Sequence, residues 1–347
     1  MYSFRNDYSE GACHEVMEAL IATNDKQSCG YGLDDYCEKA RNTIRKLIHC
    51  EGAGVHFLVG GTQANLTVIS AMLKPYEAVI SVQGGHINTH ETGSIEAVGH
   101  KILIADDVDG KIVPESIEKV VLAHEDEHMV KPAMVYISNA TEVGTIYTEK
   151  ELKKIHEICH KYNLLLFMDG ARLGSALSAE GNDLTLARIA ELCDVFYIGG
   201  TKNGALFGEA VVICNKALDE DFRYMIKQKG GMLAKGRLLG IQFDTLLEGN
   251  LYFDLAKHAN KMAQKMQDKM KMLGIRFVVE SPTNQIFPIL DNQLIQQLQK
   301  KYEFQVWEKV DQTSTAMRFV TSWATPEQVV EEFIQDFEKC MKGESVN

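Results

Sequence analysis

Short apolar runs, rich in β-branched and aromatic residues, recur along the first two thirds of the chain. Helix-period sequence separates most of them, as in ELKKIHEICHKY, which begins with the capping-box pattern of Thr148 and Glu151. Continuous apolar runs that alternate with helices predict a mostly parallel sheet covered by helices on both faces, and therefore an α/β fold of three layers. The runs are VHFLV (55–59), AVISV (78–82), ILIA (102–105), AMVYIS (133–138), LLLFMD (164–169), VFYIG (195–199) and AVVIC (210–214).

The last third of the chain has a different pattern. A long, polar-rich helix pattern over about 247–273 precedes four strand-like runs (IRFVVE, QIFPIL, FQVWEKV and AMRFVTSW), and a final helical segment, TPEQVVEEFIQDFEKC, follows. Strands close together with flanking helices indicate a smaller α+β domain. Because 347 residues are many for one core, we predict a large domain over 1–245, whose N-terminal segment partly associates with the small domain, and a small domain over 246–347.

The net charge and the distribution of basic residues limit the classes of partner that the protein can bind. The net charge is −12 and the basic residues are scattered, which argues against nucleic acid or an anionic membrane and favours a small soluble substrate. The amino terminus MYSFRNDYSEG has no basic-then-apolar signal, and no apolar run approaches the roughly 20 residues of a membrane span, so we expect a cytoplasmic protein. The eight cysteines contain no C-x-x-C pair, which predicts reduced, mostly buried thiols.

Ligands of open α/β sheets bind beyond the carboxyl ends of the strands, so residues that directly follow the runs are candidates. The turn GGTQAN (60–65) precedes helical sequence and suits a phosphate, although an ordinary strand-to-helix turn would look the same. Asp169 in DGAR needs a cationic or N–H partner, or else caps the next helix. Lys202 in GGTKNG becomes a nucleophile in an apolar pocket and is otherwise a solvent-exposed lysine.

An anion site, an aspartate and a lysine, each behind its own strand, are together what pyridoxal phosphate requires, because this cofactor has a phosphate, a ring nitrogen and an aldehyde. His86, in the segment HINTHETG after a further strand, would enter the same cleft and could stack on the flat ring. The pattern therefore predicts a pyridoxal-phosphate site that includes Lys202, Asp169 and His86.

The segment HEDEH (124–128) offers a different class of function, zinc hydrolysis. It matches H-E-x-x-H, with His124 and His128 as metal ligands and Glu125 as base. That motif must lie on a continuous helix, whereas Pro132 disfavours helix directly before it. We therefore keep zinc hydrolysis only as a remote alternative and predict no metal site.

Eight segments, in order and over nearly the whole chain, resemble the threonine aldolases of the β-eliminating lyase group, which are pyridoxal-phosphate enzymes of the aspartate-aminotransferase fold (fold type I). Within that group the chain looks most like the bacterial low-specificity L-threonine and phenylserine aldolases. It departs from many relatives at Asn6, where they have serine, and at His90, where they are aromatic or acidic. The segments are FRND (4–7), GYGLDD (30–35), GGTQAN, HINTHETG, ATEVGTIYT (140–148), DGARLGSALS (169–178), GGTKNGALFGEAV (199–211) and MRFVTSW (317–323).

The resemblance implies a set of cofactor contacts. Lys202 would bond to the cofactor aldehyde, Asp169 would pair with the ring nitrogen, and His86 would stack on the ring. Arg172 would lie at the cofactor, and Lys235 and Arg237 would reach the phosphate of a neighbouring subunit. The phosphate would be held by Gly61, Thr62 and Gln63.

The resemblance also implies substrate contacts. Arg318 and Arg172 would clamp the substrate carboxylate, as the bidentate geometry of arginine allows, and His128 would face the β-hydroxyl. His86 or His128 would accept the hydroxyl proton. The remaining substrate residues would be Asn6, His90 and Tyr31, the last in a pocket shared between subunits.

The expected reaction is cleavage of L-threonine or L-allo-threonine, and of β-hydroxy amino acids such as phenylserine, to glycine and an aldehyde. A β-eliminating lyase, an aminotransferase or a racemase would use the same groups, because these reactions differ only in the bond that is aligned. A cofactor-free binding protein of the same fold is a further alternative. The resemblance implies a homodimer or homotetramer with shared active sites.

Overall fold

The computed structural model describes residues 1–344 of the 347, and strands and helices alternate through most of them. The strands are β1 (Tyr2–Ser3), β2 (Gly54–Leu58), β3 (Glu77–Val82), β4 (Ile102–Ala105), β5 (Asp107–Val108), β6 (Lys111–Ile112), β7 (Lys131–Ser138), β8 (Leu165–Asp169), β9 (Val195–Gly199), β10 (Glu209–Ile213), β11 (Arg276–Phe277), β12 (Gln285–Ile286), β13 (Pro288–Asp291), β14 (Tyr302–Glu303), β15 (Gln305–Lys309) and β16 (Ser314–Val320).

The helices vary from single turns to the long α12. Within residues 1–344, none is both long and apolar enough to cross a membrane. They are α1 (His14–Thr23), α2 (Asp35–Leu47), α3 (Gly61–Met72), α4 (His86–Thr89), α5 (Ser94–Ala97), α6 (Pro114–Leu122), α7 (Glu149–Tyr162), α8 (Leu173–Leu177), α9 (Leu186–Leu192), α10 (Phe222–Gln228), α11 (Arg237–Leu247), α12 (Leu251–Met272), α13 (Asn292–Leu298) and α14 (Glu327–Met341), with a 3₁₀ turn over Lys216–Leu218.

The seven predicted apolar runs form one seven-stranded sheet, in the order β2-β10-β9-β8-β7-β3-β4. Strands β4, β3, β7, β8 and β9 run parallel to one another, and β10 runs antiparallel to both β9 and β2. The prediction of a mostly parallel sheet is confirmed. All these strands except β10 therefore end at one edge, which we call the carboxyl edge, and β10 begins there.

Helices cover both faces of this sheet, and strand β9 shows why its residues are apolar throughout. Phe196 and Ile198 pack into a cluster with residues of α2, α7, α9 and α11. Val195 and Tyr197 point to the other face and pack with residues of α3 and α10. Because every position of β9 is buried, an alternating polar pattern would place polar groups in one of the two cores.

Local capping sets where α7 begins. The Thr148 hydroxyl accepts a hydrogen bond from the backbone N–H of Glu151, and the Glu151 carboxylate accepts one from the backbone N–H of Thr148 at 2.8 Å. This is the predicted capping box, and it satisfies two N–H groups that a helix start leaves free.

A second sheet, in the order β11-β13-β16-β12 with β15 on β16, contains the predicted C-terminal strands. Its core includes Phe319 and Phe333, packed with apolar residues of α12 and α14. The N-terminal strand β1 pairs with β14, and Phe4 lies in this core with its ring 5.4 Å from that of Phe333. The division of the chain at 245/246 stays a prediction, and that position lies within α11.

Candidate active site

A cavity of about 210 Å³ opens at the carboxyl edge of the large sheet. Its walls come from the chain just after β2, β3, β7, β8 and β9, together with the start of β10 and the N-terminal segment. It is lined by Tyr8, Gly60, Gly61, Thr62, His86, Ser138, Ala140, Glu142, Asp169, Ala171, Arg172, Tyr197, Thr201, Lys202 and Glu209. The residues predicted from three separate strand ends therefore share one cavity.

Lys202 reaches this cavity because the glycine turn after β9 ends the buried strand at the sheet edge. Burial and the nearby charge of Arg172 lower the pKa of the Lys202 amine, although the charges of Asp7, Asp169 and Glu209 oppose this shift. A lysine with a lowered pKa is more often a neutral amine, which is the form that attacks carbonyl carbon.

Asp169, the last residue of β8, is buried and surrounded by donors. Its Oδ2 accepts hydrogen bonds from the Tyr136 hydroxyl at 2.5 Å and the Asn65 amide at 3.1 Å, and its Oδ1 accepts one from the backbone N–H of Ala171 at 3.0 Å. Burial raises the pKa of Asp169, but the charge of His86 and the Tyr136 hydrogen bond outweigh it, so the pKa lies below its usual value. The group is a buried carboxylate anion, suited to a cationic partner.

The turn after β2 presents free backbone N–H groups to the cavity. Gly60 is the N-cap of α3, so the N–H groups of Gly61, Thr62 and Gln63 belong to the first helical turn and have no acceptor within the helix. A Cβ atom at Gly61 would lie 3.0 Å from the buried Tyr197 hydroxyl oxygen, so a side chain there would crowd the cavity wall. This is an anion site of the kind that helix starts form.

Gln63 contributes differently from the prediction, since its side chain does not line the cavity. Its Oε1 accepts a hydrogen bond from the backbone N–H of Val59, and its Nε2 donates to the carbonyl of Lys229. Only the main chain of Gln63 is therefore placed to hold an anion.

His86 begins the short helix α4 and is held by Glu91. Its Nδ1 lies 2.8 Å from Glu91 Oε1, and the same oxygen accepts a hydrogen bond from the Asn65 amide at 2.7 Å. Since Asn65 also donates to Asp169, one buried network fixes the imidazole and the aspartate together. The orientation of His86 is therefore set before any ligand binds.

Arg172 and Asp7 form a buried, bidentate ion pair. The guanidinium Nε and Nη2 donate to Asp7 at 2.7 and 2.9 Å, and the Asn284 amide donates to Asp7 at 2.9 Å. Burial lowers the pKa of Arg172, but the charge of Asp7 raises it by more, so the pKa lies above its usual value. The pair holds Arg172 at the cavity wall with Nη1 left for a further partner.

Arg318, on β16, is half-buried beside this pair. Its Nε is buried without a hydrogen-bond partner among the described residues, and its Nη2 donates to the carbonyl of Arg5 at 3.3 Å. Burial and the Arg172 charge lower its pKa to about 10. An anion at this place would satisfy the free N–H and relieve the repulsion between the two cations.

His128 does not reach this cavity within its own chain, and the prediction that it faces the substrate hydroxyl stays a prediction. It is exposed in the loop before β7, at the amino end of that strand, whereas Ser138 at the other end lines the cavity. Eight strand residues span roughly 25 Å at about 3.3 Å each. The same loop is not helical, and His124 Nδ1 lies against the carbonyl of Val120, so HEDEH lacks the helix that the zinc motif requires.

Other predicted residues lie outside the cavity wall. The Asn6 oxygen accepts hydrogen bonds from the Tyr8 N–H and the Ser9 hydroxyl. His90 is largely exposed, with its ring 5.5 Å from that of His86. Partial desolvation of the ring and the charges of His86 and Arg318 lower the pKa of His90. Tyr31 is exposed, and Lys235 lies in the segment before α11. The guanidinium of Arg237 donates hydrogen bonds to the carbonyls of Lys26 and Asn24. Their predicted roles remain proposals.

Sequence reasoning missed several groups of the site. Glu142, Glu209 and Tyr8 line the cavity, and Tyr136 and Asn65 hold Asp169. Glu209 carried a signal, because it is a charged residue at the start of an otherwise apolar run. Tyr136 and Asn65 carried none, since a tyrosine within a strand and an asparagine one turn into a helix are common in any α/β protein.

Known proteins match the chain closely. The family model described as beta-eliminating lyase matches residues 3–293. The low specificity L-threonine aldolase of a Pseudomonas species is 34% identical over 346 residues, which cover 98% of each protein. The structure of a threonine aldolase from Leishmania major superposes with a TM-score of 0.97 at 48% identity, covering 98% of this chain and 100% of the other.

The chain belongs to the beta-eliminating lyase family. It is therefore a lyase, and like its family it depends on pyridoxal phosphate. An aspartate aminotransferase from Thermus thermophilus has the same fold, with a TM-score of 0.72 at 13% identity. The resemblance read from the sequence is thus confirmed for family, fold and cofactor.

The cavity of this beta-eliminating lyase fits that cofactor. The helix start at Gly61 suits its phosphate, the Asp169 carboxylate suits a protonated ring nitrogen, and the Lys202 amine suits its aldehyde. The buried Tyr197 hydroxyl and Glu209 Oε2, both on the wall, have no hydrogen-bond partner among residues 1–344. Polar atoms left unpaired in a buried wall are those that a bound polar ligand satisfies.

Proposed function

We propose that the chain cleaves L-threonine and L-allo-threonine to glycine and acetaldehyde, and that it accepts larger β-hydroxy amino acids such as phenylserine. The observation that carries the proposal is the convergence of Lys202, Asp169 and the Gly60–Gly61 turn on one cavity, in a chain whose relatives include threonine aldolases. Zinc hydrolysis has no support here, because HEDEH is neither helical nor at this cavity.

The proposed cofactor contacts follow from the residues that line the cavity. Lys202 holds the aldehyde carbon, Asp169 pairs with the ring nitrogen, and His86 contacts the ring. The backbone of the α3 start holds the phosphate. When bound, the cofactor supplies an electron sink for the carbon atom next to the substrate's carboxylate; the ionised state of Asp169 favours this, since it keeps a proton on the ring nitrogen.

The proposed substrate contacts use the two arginines. Arg318, with its free Nε, and Arg172, through Nη1, bind the substrate carboxylate, and the Asp7 ion pair fixes the direction of Arg172. A carboxylate held at two points fixes the direction of the Cα–Cβ bond. That direction decides which bond to Cα breaks.

Arg318→Ala removes one half of this clamp and leaves the cofactor contacts in place. We expect the KM for L-threonine to rise by about 10- to 100-fold, which corresponds to the loss of a charge-assisted hydrogen bond of about 1.5–3 kcal/mol. The visible absorbance of bound cofactor should not change. Initial rates over a threonine series measure KM, and an unchanged value would refute the clamp.

The reaction itself is tested by a product assay. The purified, cofactor-loaded protein is incubated separately with L-threonine, L-allo-threonine and phenylserine, and glycine, aldehyde, pyruvate and ammonia are measured. Equimolar glycine and aldehyde support the proposal. Pyruvate and ammonia without glycine would instead identify a β-eliminating reaction and refute it.

We also propose a homodimer or homotetramer with shared active sites. Tyr31, Leu33 and Tyr224 are exposed around one wide groove, and exposed apolar patches of this kind mark protein interfaces. A second copy is also what would bring Arg237 or His128 to a cavity. Light scattering on the purified protein measures the assembly, and a monomer at working concentration would refute it.

A cytoplasmic location belongs to the same proposal. All eight cysteines are free thiols, and Cys29 is exposed. A reducing compartment maintains that state.

A further inference from the structure

A retro-aldol cleavage must remove the proton of the substrate's β-hydroxyl, and the cavity holds a carboxylate with no role in the contacts described so far. Glu142 lies in the segment that follows β7 and lines the cavity beside Ser138 and Ala140. Its position at the carboxyl edge places it among the groups that meet a ligand, unlike His128 at the other end of the same strand.

One oxygen of Glu142 is fixed by the protein. Its Oε1 accepts a hydrogen bond from the backbone N–H of His86 at 2.9 Å and from the Ser138 hydroxyl at 2.7 Å. The second oxygen, Oε2, accepts no hydrogen bond from the described residues and is not among their fully buried unpaired atoms. The carboxylate is therefore anchored on one side and open to the cavity on the other.

The surroundings of Glu142 suit proton transfer. Burial raises the pKa of the Glu142 carboxyl, and the Ser138 hydrogen bond only partly offsets this. A carboxyl whose pKa is moved toward neutral pH is a better general base and acid than an ordinary glutamate.

We infer that Glu142 is the catalytic residue that accepts the β-hydroxyl proton through Oε2, an inference that rests on the proposed function. The substrate O–H bond breaks and its proton passes to Glu142. The oxygen becomes the carbonyl oxygen of the aldehyde, and the Cα–Cβ bond breaks with its electron pair left at Cα. A proton returned to Cα completes glycine, so no net proton is consumed.

The test compares two substrates on the holoenzyme. L-threonine needs removal of the hydroxyl proton, whereas glycine has no hydroxyl, and only its α-proton exchanges with solvent. For Glu142→Gln, we expect kcat for threonine cleavage to fall by about 10²- to 10⁴-fold. We expect the cofactor absorbance and the rate of glycine α-proton exchange, followed by NMR in deuterated water, to stay within about threefold of the wild type, because neither involves a hydroxyl.

Two further variants control for structure. Glu77→Gln makes the same substitution at a buried glutamate at the amino end of β3, and it should leave both reactions unchanged. Glu142→Asp keeps a carboxylate and should recover part of the threonine activity lost in Glu142→Gln.

Each contrary result is informative. Wild-type threonine cleavage by Glu142→Gln would overturn the inference. So would an equal loss of glycine exchange and threonine cleavage, because Glu142 would then hold the site in shape through His86 and not move the hydroxyl proton. A wild-type protein that exchanges glycine but releases no aldehyde from threonine would instead refute the proposed function.

Discussion

Asp169 and Glu209 are both buried carboxyl groups on the wall of one cavity, yet their pKa values shift in opposite directions. Asp169 receives three hydrogen bonds, and its pKa falls. Glu209 receives one, from the Thr201 hydroxyl at 3.0 Å, while its Oε2 has no partner, and burial raises its pKa to about 8. Burial alone therefore does not decide the charge of an acid in this site; the neighbouring charges, His86 above all for Asp169, and the hydrogen-bond donors decide it together.

The difference assigns different tasks to the two ends of the cavity. The Asp169 end is prepared to hold a cationic ring nitrogen. The Glu209 end lies between the Lys202 turn and the start of α3, because Glu209 pairs with Gly199 on β9 and with Leu58 on β2. A permanent anion there would repel a phosphate, and the raised pKa of Glu209 reduces that repulsion.

Of the two carboxyl groups, Asp169 is expected to give the larger effect when it is substituted. Asp169→Asn keeps the shape but removes the charge that the ring nitrogen requires, and we expect kcat for threonine to fall by about 10²- to 10³-fold, as for other losses of preorganised electrostatic groups. Steady-state rates measure this. Glu209→Gln should lower kcat much less, because the carboxyl is largely protonated at neutral pH. Equal losses in the two variants would show that the opposite pKa shifts of the two carboxyl groups do not determine their contributions to the rate.

A smaller effect, on the pH dependence of stability, is expected at Glu209. Its folded pKa of about 8 exceeds the unfolded value of about 4.3, so the folded state binds a proton that the unfolded state releases between these values. The free energy of unfolding therefore loses this contribution as pH rises from about 4.3 to 8. The free energy of unfolding of Glu209→Gln, relative to that of wild type, should therefore increase as pH rises through this range.

Urea unfolding of the cofactor-free protein at pH 5.5, 7 and 9 measures this trend. Glu127→Gln, in an exposed loop, is the matched control and should follow wild type at every pH. If the stability of Glu209→Gln depended on pH as that of wild type does, Glu209 would be ionised in the folded state at all three pH values, and its raised pKa would be refuted.

The sequence predicted the fold and the main groups of the site because both follow from the same strands. Lys202, Asp169 and His86 each come directly after a buried run, so strand direction alone placed them at one edge. The same rule does not place His128 at this edge, because it precedes its strand, and its predicted role rested on the resemblance alone. Arg318 was found only through the resemblance, since it lies far along the chain on the second sheet.

Other parts of the site could not be read from the sequence. The charge of Asp169 depends on Tyr136 and Asn65, which come from the middle of a strand and of a helix and meet only in the folded chain. The direction of Arg172 depends on Asp7, 165 positions away along the chain. Such contacts are properties of packing, which a single sequence does not reveal.

We propose above that Lys202 bonds to the cofactor within the cavity that also holds Asp169. The most direct measurement is the visible spectrum of purified Lys202→Ala beside wild type, each with added pyridoxal phosphate and then with L-threonine. We predict that the variant lacks the absorbance of lysine-bound cofactor, which wild type shows, and releases no acetaldehyde. A variant with wild-type absorbance and wild-type acetaldehyde release would contradict the account.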